Sequence, residues 1–487
     1  MGWDAKNHPM GQIIEISPMG WDKTDQLCFD VGGNGASCES YSKSSNNTYI
    51  IHFKMSLANQ ISFCVQTLVK LVKRVMLNNA IISNEKVTQS QALEWCQQFL
   101  GGIWSTISID EMILERVPGG LSNYLYSCSL PKHIETQNSE PRKVLLRIYG
   151  EAHRQHRATL LIDSVVCTLL SERKLGPRVY GIFPDGRLEE FVEAESLLAS
   201  EIRDENISRQ IATVLGELHQ IDMPLVKEPI WLFNTIERYV LETTSTMNKL
   251  RTNEDRQIFQ EIQSMCNFTQ EFEQLKKLLS TIDSPVCFTH NDFQPGNILR
   301  LKSHCDSFTV IDFEYCSYNY RGFDIGNHFC EFMFDYKSAT EWPFYKVDYS
   351  LYPNAKQQMN FLTSYVDTLI NNPDKHTTTN DSHSNTVNSN PTELARQIMT
   401  EANYFALAAH FFWALWSIHM VVSTTIKFGY LEYARARLTA YHLQRDMLTM
   451  VNNNKPIQVP PQFTEELLRS TKNPFYKSYM KSINKII

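Results

Sequence analysis

The segment Cys287–Tyr336 constrains this chain most. It opens with an apolar run ending in Thr289-His290-Asn291-Asp292, continues through Phe293-Gln294-Pro295-Gly296-Asn297, and a second apolar run ends in Val310-Ile311-Asp312-Phe313-Glu314. The pattern predicts two short strands of a hairpin with Asp292, Asn297 and Asp312 at strand ends. A phosphoryl group in transit carries dispersed negative charge, so a transfer site needs metal ions to neutralise it and a carboxylate to take the acceptor's proton. Asp292 and Asn297 stand five positions apart, and Asp312-Phe313 follows fifteen positions after Asn297. Those offsets match the catalytic-loop Asp and Asn and the metal-binding Asp-Phe of kinases. One match is a weak signal, whereas two in the right order are specific. The competing reading keeps Asp292 and Asn297 as turn formers and Asp312 as a strand-end carboxylate.

A chain of 487 residues has room for two or three units. Its net charge of −7 argues against a dedicated nucleic-acid surface. The eleven cysteines include no C-x-x-C pair, which suggests neither a disulfide framework nor a zinc site and fits reduced thiols of an intracellular protein. Met1 to Met19 is interrupted by Asp4, Asn7, Pro9 and Glu15, so no secretory signal pattern is expected and a cytoplasmic location is. Ala402 to Val422 is long and apolar enough to cross a bilayer. Its Asn403, His410 and His419 and its central tryptophans predict a buried core helix instead, hence no transmembrane segment.

Residues 1–85 read as an extension. Asn34 to Asn47 is rich in Gly, Ser and Asn and predicts disorder, and Ile61, Val65, Leu68, Val72 and Val75 recur at helical spacing. Such a helix either docks on its neighbour, the preferred reading, or rests on a membrane surface. The ordered part begins at Thr88-Gln89-Ser90-Gln91, a helix start signal ahead of Ala92, Leu93 and Cys96. Residues 86–192 then predict a β-rich lobe: strands over 124–130 and 143–149, a helix around 158–173, and a hairpin over 178–192. The turn Gly119-Gly120-Leu121-Ser122-Asn123 can bring backbone N–H groups to phosphates, although such turns more often serve hairpins alone. Arg147 interrupts an apolar strand, and a buried cation there calls for an anion such as nucleotide phosphate. Asp163 on the following helix is a possible carboxylate partner for it.

Residues 193–451 predict a larger, mostly helical lobe, with His219 a core or capping histidine. Residues 371–390 hold Val387 as their one aliphatic residue besides flanking polar types and predict a mobile loop. Residues 452–487 form a tail after a Pro-containing linker. Trp413 and Trp416 lie three apart on one helix face. With Tyr336, Phe428, Tyr433 and the carboxylate of Glu331 they could build an aromatic box, the way to hold a quaternary ammonium that has no N–H to donate. An aromatic core helix explains the same spacing.

The runs Gly119–Asn123, Pro141–Gly150, Leu175–Phe183, His290–Asp292, Ile311–Tyr315 and Tyr318–Glu331 resemble the choline/ethanolamine kinase family, a likeness that extends over roughly residues 88–451. It implies an α+β, two-lobed protein-kinase-like fold, Mg²⁺-dependent transfer of the ATP γ-phosphate to choline, and a homodimer. Carried over by position, Asp292 is the base, and Asn297 and Asp312 hold the metal. The nucleotide meets Gly119, Gly120, Ser122, Asn123, Arg147 and the strand Glu190–Val192. Choline meets Glu331, Tyr336, Trp413, Trp416, Phe428 and Tyr433. Members commonly carry Glu where this chain has Pro295 and Asp163, and the segment from Gly150 to Ala158 is short. Ethanolamine kinase is the close alternative and a catalytically silent scaffold the distant one. A protein kinase is disfavoured, because the Gly-rich loop, the V-A-I-K strand and the A-P-E segment are missing.

Overall fold

The computed structural model describes residues 14–16, 37–43, 49–54, 87–117, 123–136, 140–150, 157–173, 175–302, 307–371 and 390–453. The chain divides into two units, Met1–Leu71 and Val72–Ile487. The first holds strands β1 (Ile14–Ile16), β2 (Ser37–Lys43) and β3 (Tyr49–Lys54) in the order β1-β3-β2. Strand β2 falls inside the Gly/Ser/Asn-rich stretch from which the sequence predicts disorder. The pairing partner that gives it an extended conformation, β3, is rich in β-branched and aromatic residues, of which β2 has Tyr41 alone. The helix expected from the apolar periodicity of residues 56–77, the phosphate-approach turn at 118–122, the loop 372–389 and the tail from 454 lie outside the described residues.

The second unit begins with helix α1 (Gln89–Leu100), capped as the sequence predicts: the Thr88 hydroxyl accepts the Gln91 N–H, and the Gln91 side chain accepts the Thr88 N–H. Strands β4 (Ile113–Val117), β5 (Asn123–Ser129) and β6 (Lys143–Tyr149) follow, then helix α2 (Arg157–Glu172) and strands β7 (Val179–Phe183) and β8 (Gly186–Glu190). The five strands form one antiparallel sheet in the order β4-β5-β6-β8-β7. Alternation along β6 sorts its two faces. Val144, Leu146 and Ile148 join Leu188, Tyr126 and Cys128 in the apolar core that Ala92, Leu93 and Cys96 of α1 cover. Arg147 and Tyr149 project to the opposite face, where Arg187 stands directly across from Arg147. Like charges in register repel, so that face requires carboxylates.

The helical part starts after β9 (Ala194–Ser196) with α3 (Glu205–His219), α4 (Ile230–Lys249), α5 (Asn253–Met265) and α6 (Phe268–Leu279). Strand β10 (Val286–Thr289) leads into the loop that carries Asp292 and Asn297. The hairpin between Asn297 and Asp312 forms from β11 (Ile298–Leu301) and β12 (Phe308–Val310), with β9 on its other edge, and the run ending at Thr289 is not one of its strands. Strand β13 (Ser317–Tyr320) pairs with β10 and runs into helix α7 (Arg321–Cys330). The short pair β14 (Phe334–Asp335) and β15 (Lys346–Val347) precedes α8 (Ala355–Asn371), α9 (Pro391–Ser423) and α10 (Tyr430–Asn453). Helix α9 is long and apolar enough to cross a membrane, but 83% of its apolar window is buried inside the protein, as expected of a core helix. Its contact with α7 is close because of Gly326, where a Cβ would lie 2.5 Å from the carbonyl oxygen of Ala402. Arg321 and Glu401 tie the same two helices across a 2.6 Å ion pair.

Candidate active site

The catalytic loop is fixed by backbone conformation and by a ring of hydrogen bonds. Asn291 and Asp312 both adopt the left-handed region, at φ 65° and 69°, which Asn and Asp tolerate better than other side chains. Asn291 Nδ2 donates to the Tyr315 carbonyl and the Ser317 hydroxyl at 2.8 Å, so this side chain sews the end of β10 to the start of β13. His290 lies between the rings of Phe293 and Phe313. Its Nδ1 faces the Asp292 N–H at 3.3 Å and its Nε2 the Ile311 carbonyl at 3.0 Å, which assigns the N–H to Nε2.

Asp292, Asn297 and Asp312 come together as the sequence predicts. Asn297 Nδ2 donates to the Asp292 carboxylate at 2.8 Å and to its backbone carbonyl at 3.0 Å. The backbone ties Asn297 to the far strand, because the Ile311 N–H donates to the Asn297 carbonyl at 3.0 Å. Burial, and then repulsion from Glu331, Asp312 and Glu314, push the Asp292 carboxyl well above the usual carboxylate range against the lowering hydrogen bond from Asn297. A carboxylate so placed is a stronger base than an ordinary one.

Arg147 reaches this site, but not through the partner expected of it. Its Nη1 donates to Asp312 at 2.9 Å and its Nε to Glu189 at 3.2 Å. Asp163 instead pairs with Arg187, which also bonds Glu189. Strand register sets the partners: Arg187 stands across from Arg147 and takes Asp163, which leaves Arg147 to Glu189 and Asp312. The result is a buried chain of alternating charge, Asp163, Arg187, Glu189, Arg147, Asp312, running from α2 to the cleft. Burial opposes the charge of both arginines, yet these carboxylates hold each guanidinium above its ordinary value. Asn123 donates to Glu314 at 2.8 Å and accepts the Gly150 N–H at 3.3 Å, linking the small lobe to the large one. Glu190 closes β8 with its side chain accepting the Arg178 N–H at 3.1 Å; the hairpin strand expected to reach Val192 ends there, and Val192 is half-buried beyond it.

The aromatic residues form one continuous cluster. Trp413 and Trp416 meet edge to face at 5.3 Å, and Tyr315 meets Trp413 at 5.5 Å. Tyr430 links Trp416 to Phe428, and Phe428 and Tyr336 pack on Tyr433 at 5.6 and 6.0 Å. Tyr336 donates or accepts against Tyr433 at 2.8 Å and lies 2.9 Å from Glu331. Both indoles use their N–H groups internally, Trp413 on Asn327 at 2.8 Å and Trp416 on Tyr315 at 2.9 Å. Sequence reasoning missed Tyr315, Phe334, Tyr345 and Arg437. Arg437 bonds Glu331, Tyr433 and Tyr336 at once. Its place seven residues after Phe428-Gly429-Tyr430, on the face of Tyr433, was the available signal.

The donor set near Asp292 suits a hard cation. One amide oxygen and one carboxylate, Asn297 and Asp312, are the few protein ligands that Mg²⁺ takes when phosphates and water complete its shell. The Asp312 side chain keeps 24% of its surface open to the cleft, and its second oxygen is not claimed by Arg147. Among the described residues no group of three or more His, Cys, Asp and Glu is gathered to hold a metal by itself.

A small antiparallel lobe set over a larger helical one, with a catalytic loop and a left-handed Asp-Phe at their junction, defines a two-lobed protein-kinase-like fold. The model of a family described as choline/ethanolamine kinase matches residues 114–442. A choline/ethanolamine kinase of Homo sapiens is 42% identical over 381 residues, 75% of this chain and 88% of the relative. Choline kinase alpha of Mus musculus is 40% identical over 389 residues, 75% of this chain and 82% of the relative. The solved choline kinase of Cryptosporidium parvum, 24% identical, is similar in fold with a TM-score of 0.59 over 74% of this chain and 96% of its own. The chain belongs to the choline/ethanolamine kinase family, whose members are ATP-dependent phosphotransferases with an alcohol acceptor.

Proposed function

We propose that the chain transfers the γ-phosphoryl group of ATP to the hydroxyl of choline, giving phosphocholine and ADP, the first step toward phosphatidylcholine. One observation carries the reading: Asn291, next to Asp292, donates to the Tyr315 carbonyl at 2.8 Å, while the Tyr315 ring meets Trp413 at 5.5 Å and its hydroxyl accepts the Trp416 indole N–H at 2.9 Å, so the loop that carries the base adjoins the aromatic cluster. Choline's hydroxyl is joined to its nitrogen by an ethylene unit alone, so a base and an ammonium site must lie this close. Trimethylammonium offers methyl groups and diffuse charge, which suit the faces of Trp413, Trp416 and Tyr433. The primary ammonium of ethanolamine is strongly hydrated and wants three acceptors, which an aromatic box does not offer.

In this reading Asp292 accepts the hydroxyl proton as the oxygen attacks, and Asn297 keeps its carboxylate aimed. Asn297 and Asp312 would hold Mg²⁺, which supplies charge neutralisation of the phosphates. Arg147, which bonds Asp312, contacts phosphate in this reading, and the family resemblance assigns the turn Gly119, Gly120, Ser122 and Asn123 and the strand Glu190–Val192 to the nucleotide. Residues 86–192 act as the nucleotide lobe and 193–451 as the catalytic and choline lobe. The family resemblance also supports a homodimer, which sedimentation of the purified chain tests. The activity is tested by coupled ADP release with choline and ethanolamine offered separately. Faster turnover of ethanolamine replaces this reading with an ethanolamine kinase, and no turnover of either leaves the silent scaffold.

A further inference from the structure

Three buried residues, Arg437, Tyr433 and Glu331, and the half-buried Tyr336 close a hydrogen-bonded ring behind the aromatic cluster. Arg437, 1% exposed at its side chain, donates through Nε to the Tyr433 hydroxyl at 2.7 Å and through Nη2 to both Tyr433 and Glu331. A guanidinium only donates, so the lone pairs of the Tyr433 oxygen are filled and its own O–H must point elsewhere. The Tyr336 hydroxyl is its partner at 2.8 Å. That contact fixes the next step, because the Tyr336 O–H is then left to donate to Glu331 Oε2 at 2.9 Å. The ring is directional: Arg437 to Tyr433 to Tyr336 to Glu331, closed by Arg437 to Glu331 Oε1. The guanidinium carbon also sits 4.0 Å from the centroid of Phe334 and 5.0 Å from that of Tyr433.

Two consequences follow for a ligand. Each oxygen of Glu331 already has a donor from the protein, and the carboxylate's charge is matched by a cation that solvent does not reach. Resting on the function proposed above, we propose that Arg437 is a specificity-determining positioning residue: by occupying Glu331 and locking Tyr433 and Tyr336, it makes the pocket read methyl groups and ring faces in place of N–H donors. A quaternary ammonium has no N–H to donate, so it forfeits no hydrogen bond by finding the carboxylate engaged. A primary ammonium must give up water and finds no free acceptor in return. The side chain acts through Glu331 and the tyrosines and does not touch the reacting atoms.

The test compares kcat/KM for choline and for ethanolamine in the full-length wild type, Arg437→Lys, Tyr336→Phe and the double variant Glu331→Gln with Arg437→Met. Freeing one oxygen of Glu331 should lower the choline-to-ethanolamine ratio by about tenfold, the lower end of what a charged hydrogen bond commands. Arg437→Lys and Tyr336→Phe each free one oxygen; Tyr336→Phe removes only a hydroxyl and carries the test if Arg437→Lys fails to fold. The double variant keeps the ring neutral and frees tyrosine oxygens but no carboxylate, so its ratio should fall less, by no more than about threefold, against the roughly tenfold step of the single variants. A parallel loss on both amines in the single variants, or an equal drop in the ratio in the double variant, overturns the proposal and leaves Arg437 a structural residue. Failure of the wild type to phosphorylate either amine would instead remove the function on which it rests, a result read before any variant is compared.

Discussion

Asp324 Oδ2 accepts the backbone N–H of His290 at 2.7 Å, and its Oδ1 accepts that of Asn291 at 2.8 Å. One fully buried carboxylate at the start of α7 thus holds the two residues that precede Asp292, the proposed base, one of them in the left-handed region. Asp324→Asn keeps the shape but turns one acceptor into a donor facing an N–H. A shift of about 1 Å in Asp292 costs about a hundredfold in rate, so turnover should fall between about tenfold and a hundredfold while the KM for ATP moves little. Unchanged turnover in the folded variant would separate the loop's geometry from this anchor.

The same carboxylate pairs with His219 at 3.0 Å, and the Tyr365 hydroxyl lies 2.7 Å from the other ring nitrogen. Burial opposes the imidazolium, but Cys287, Tyr365 and Asp324 around it hold His219 well above its ordinary value. Burial likewise opposes the Asp324 charge, and the His219 hydrogen bond and charge overcome it and hold that carboxyl low. The raised histidine contributes stability that is complete below its unfolded value of about 6.5 and is lost as pH rises through the higher folded value. The depressed aspartate contributes above its unfolded value of about 3.9, and that is lost as pH falls through the lower folded value. The stability gap between wild type and His219→Gln should therefore be flat from about pH 4 to 6.5 and shrink on the alkaline side. Urea titrations across pH 4 to 10 measure it. A gap that grows with rising pH would give His219 a neutral role.

Asp292→Asn removes the proton acceptor and preserves the contact with Asn297. Turnover should drop by about two to four orders of magnitude, the range for loss of a positioned base. Equilibrium binding of ATP should be retained. Near-normal turnover by the purified variant would take the base assignment away from Asp292.

How much of this was legible in the chain divides by distance along it. The Thr88 cap, the strand over 143–149 and the triad Asp292, Asn297 and Asp312 are local patterns, and local patterns report caps, periodicity and loops. Asp163 was assigned to the wrong arginine because two arginines, forty positions apart in sequence, become neighbours only once β6 and β8 pair in register. Arg437 shares a helix face with Tyr433, but Glu331 lies 106 positions away, so their ion pair was invisible for the same reason. The strand β2 depends on β3 rather than on its own composition, so propensity alone pointed to disorder. Pairings between buried charges are set by packing, which periodicity does not encode.

The chain of charge from α2 to Asp312 makes a prediction about stability. Arg187→Met leaves Asp163 buried without its cation and Glu189 with Arg147 alone, and should cost about 3–5 kcal/mol, the price of breaking a buried pair from one side. Asp163→Asn combined with Arg187→Met removes charge from both sides and should recover a large part of that loss. Chemical denaturation of the two variants decides it. Equal destabilisation would mean that packing around Arg187, and not its charge, carries the effect.

The two tryptophans call for a different substitution from the usual truncation. Trp413 and Trp416 are 5% and 6% exposed, and each donates its indole N–H inside the protein. Replacing either with Ala should cost about 3–5 kcal/mol of stability through the cavity alone, which confounds any loss of binding. Trp416→Phe keeps a ring face and forfeits the donor to Tyr315, so it isolates the contribution of the larger indole face. A desolvated cation–π contact is worth about 2 kcal/mol. If the indole supplies half of that beyond a phenyl ring, the KM for choline should rise about fivefold and the KM for ATP should not move. Steady-state kinetics on Trp413→Phe and Trp416→Phe, with melting temperatures alongside, measure both quantities. An unmoved KM for choline in both folded variants would place the ammonium against Tyr433 and Tyr336 instead of the indoles.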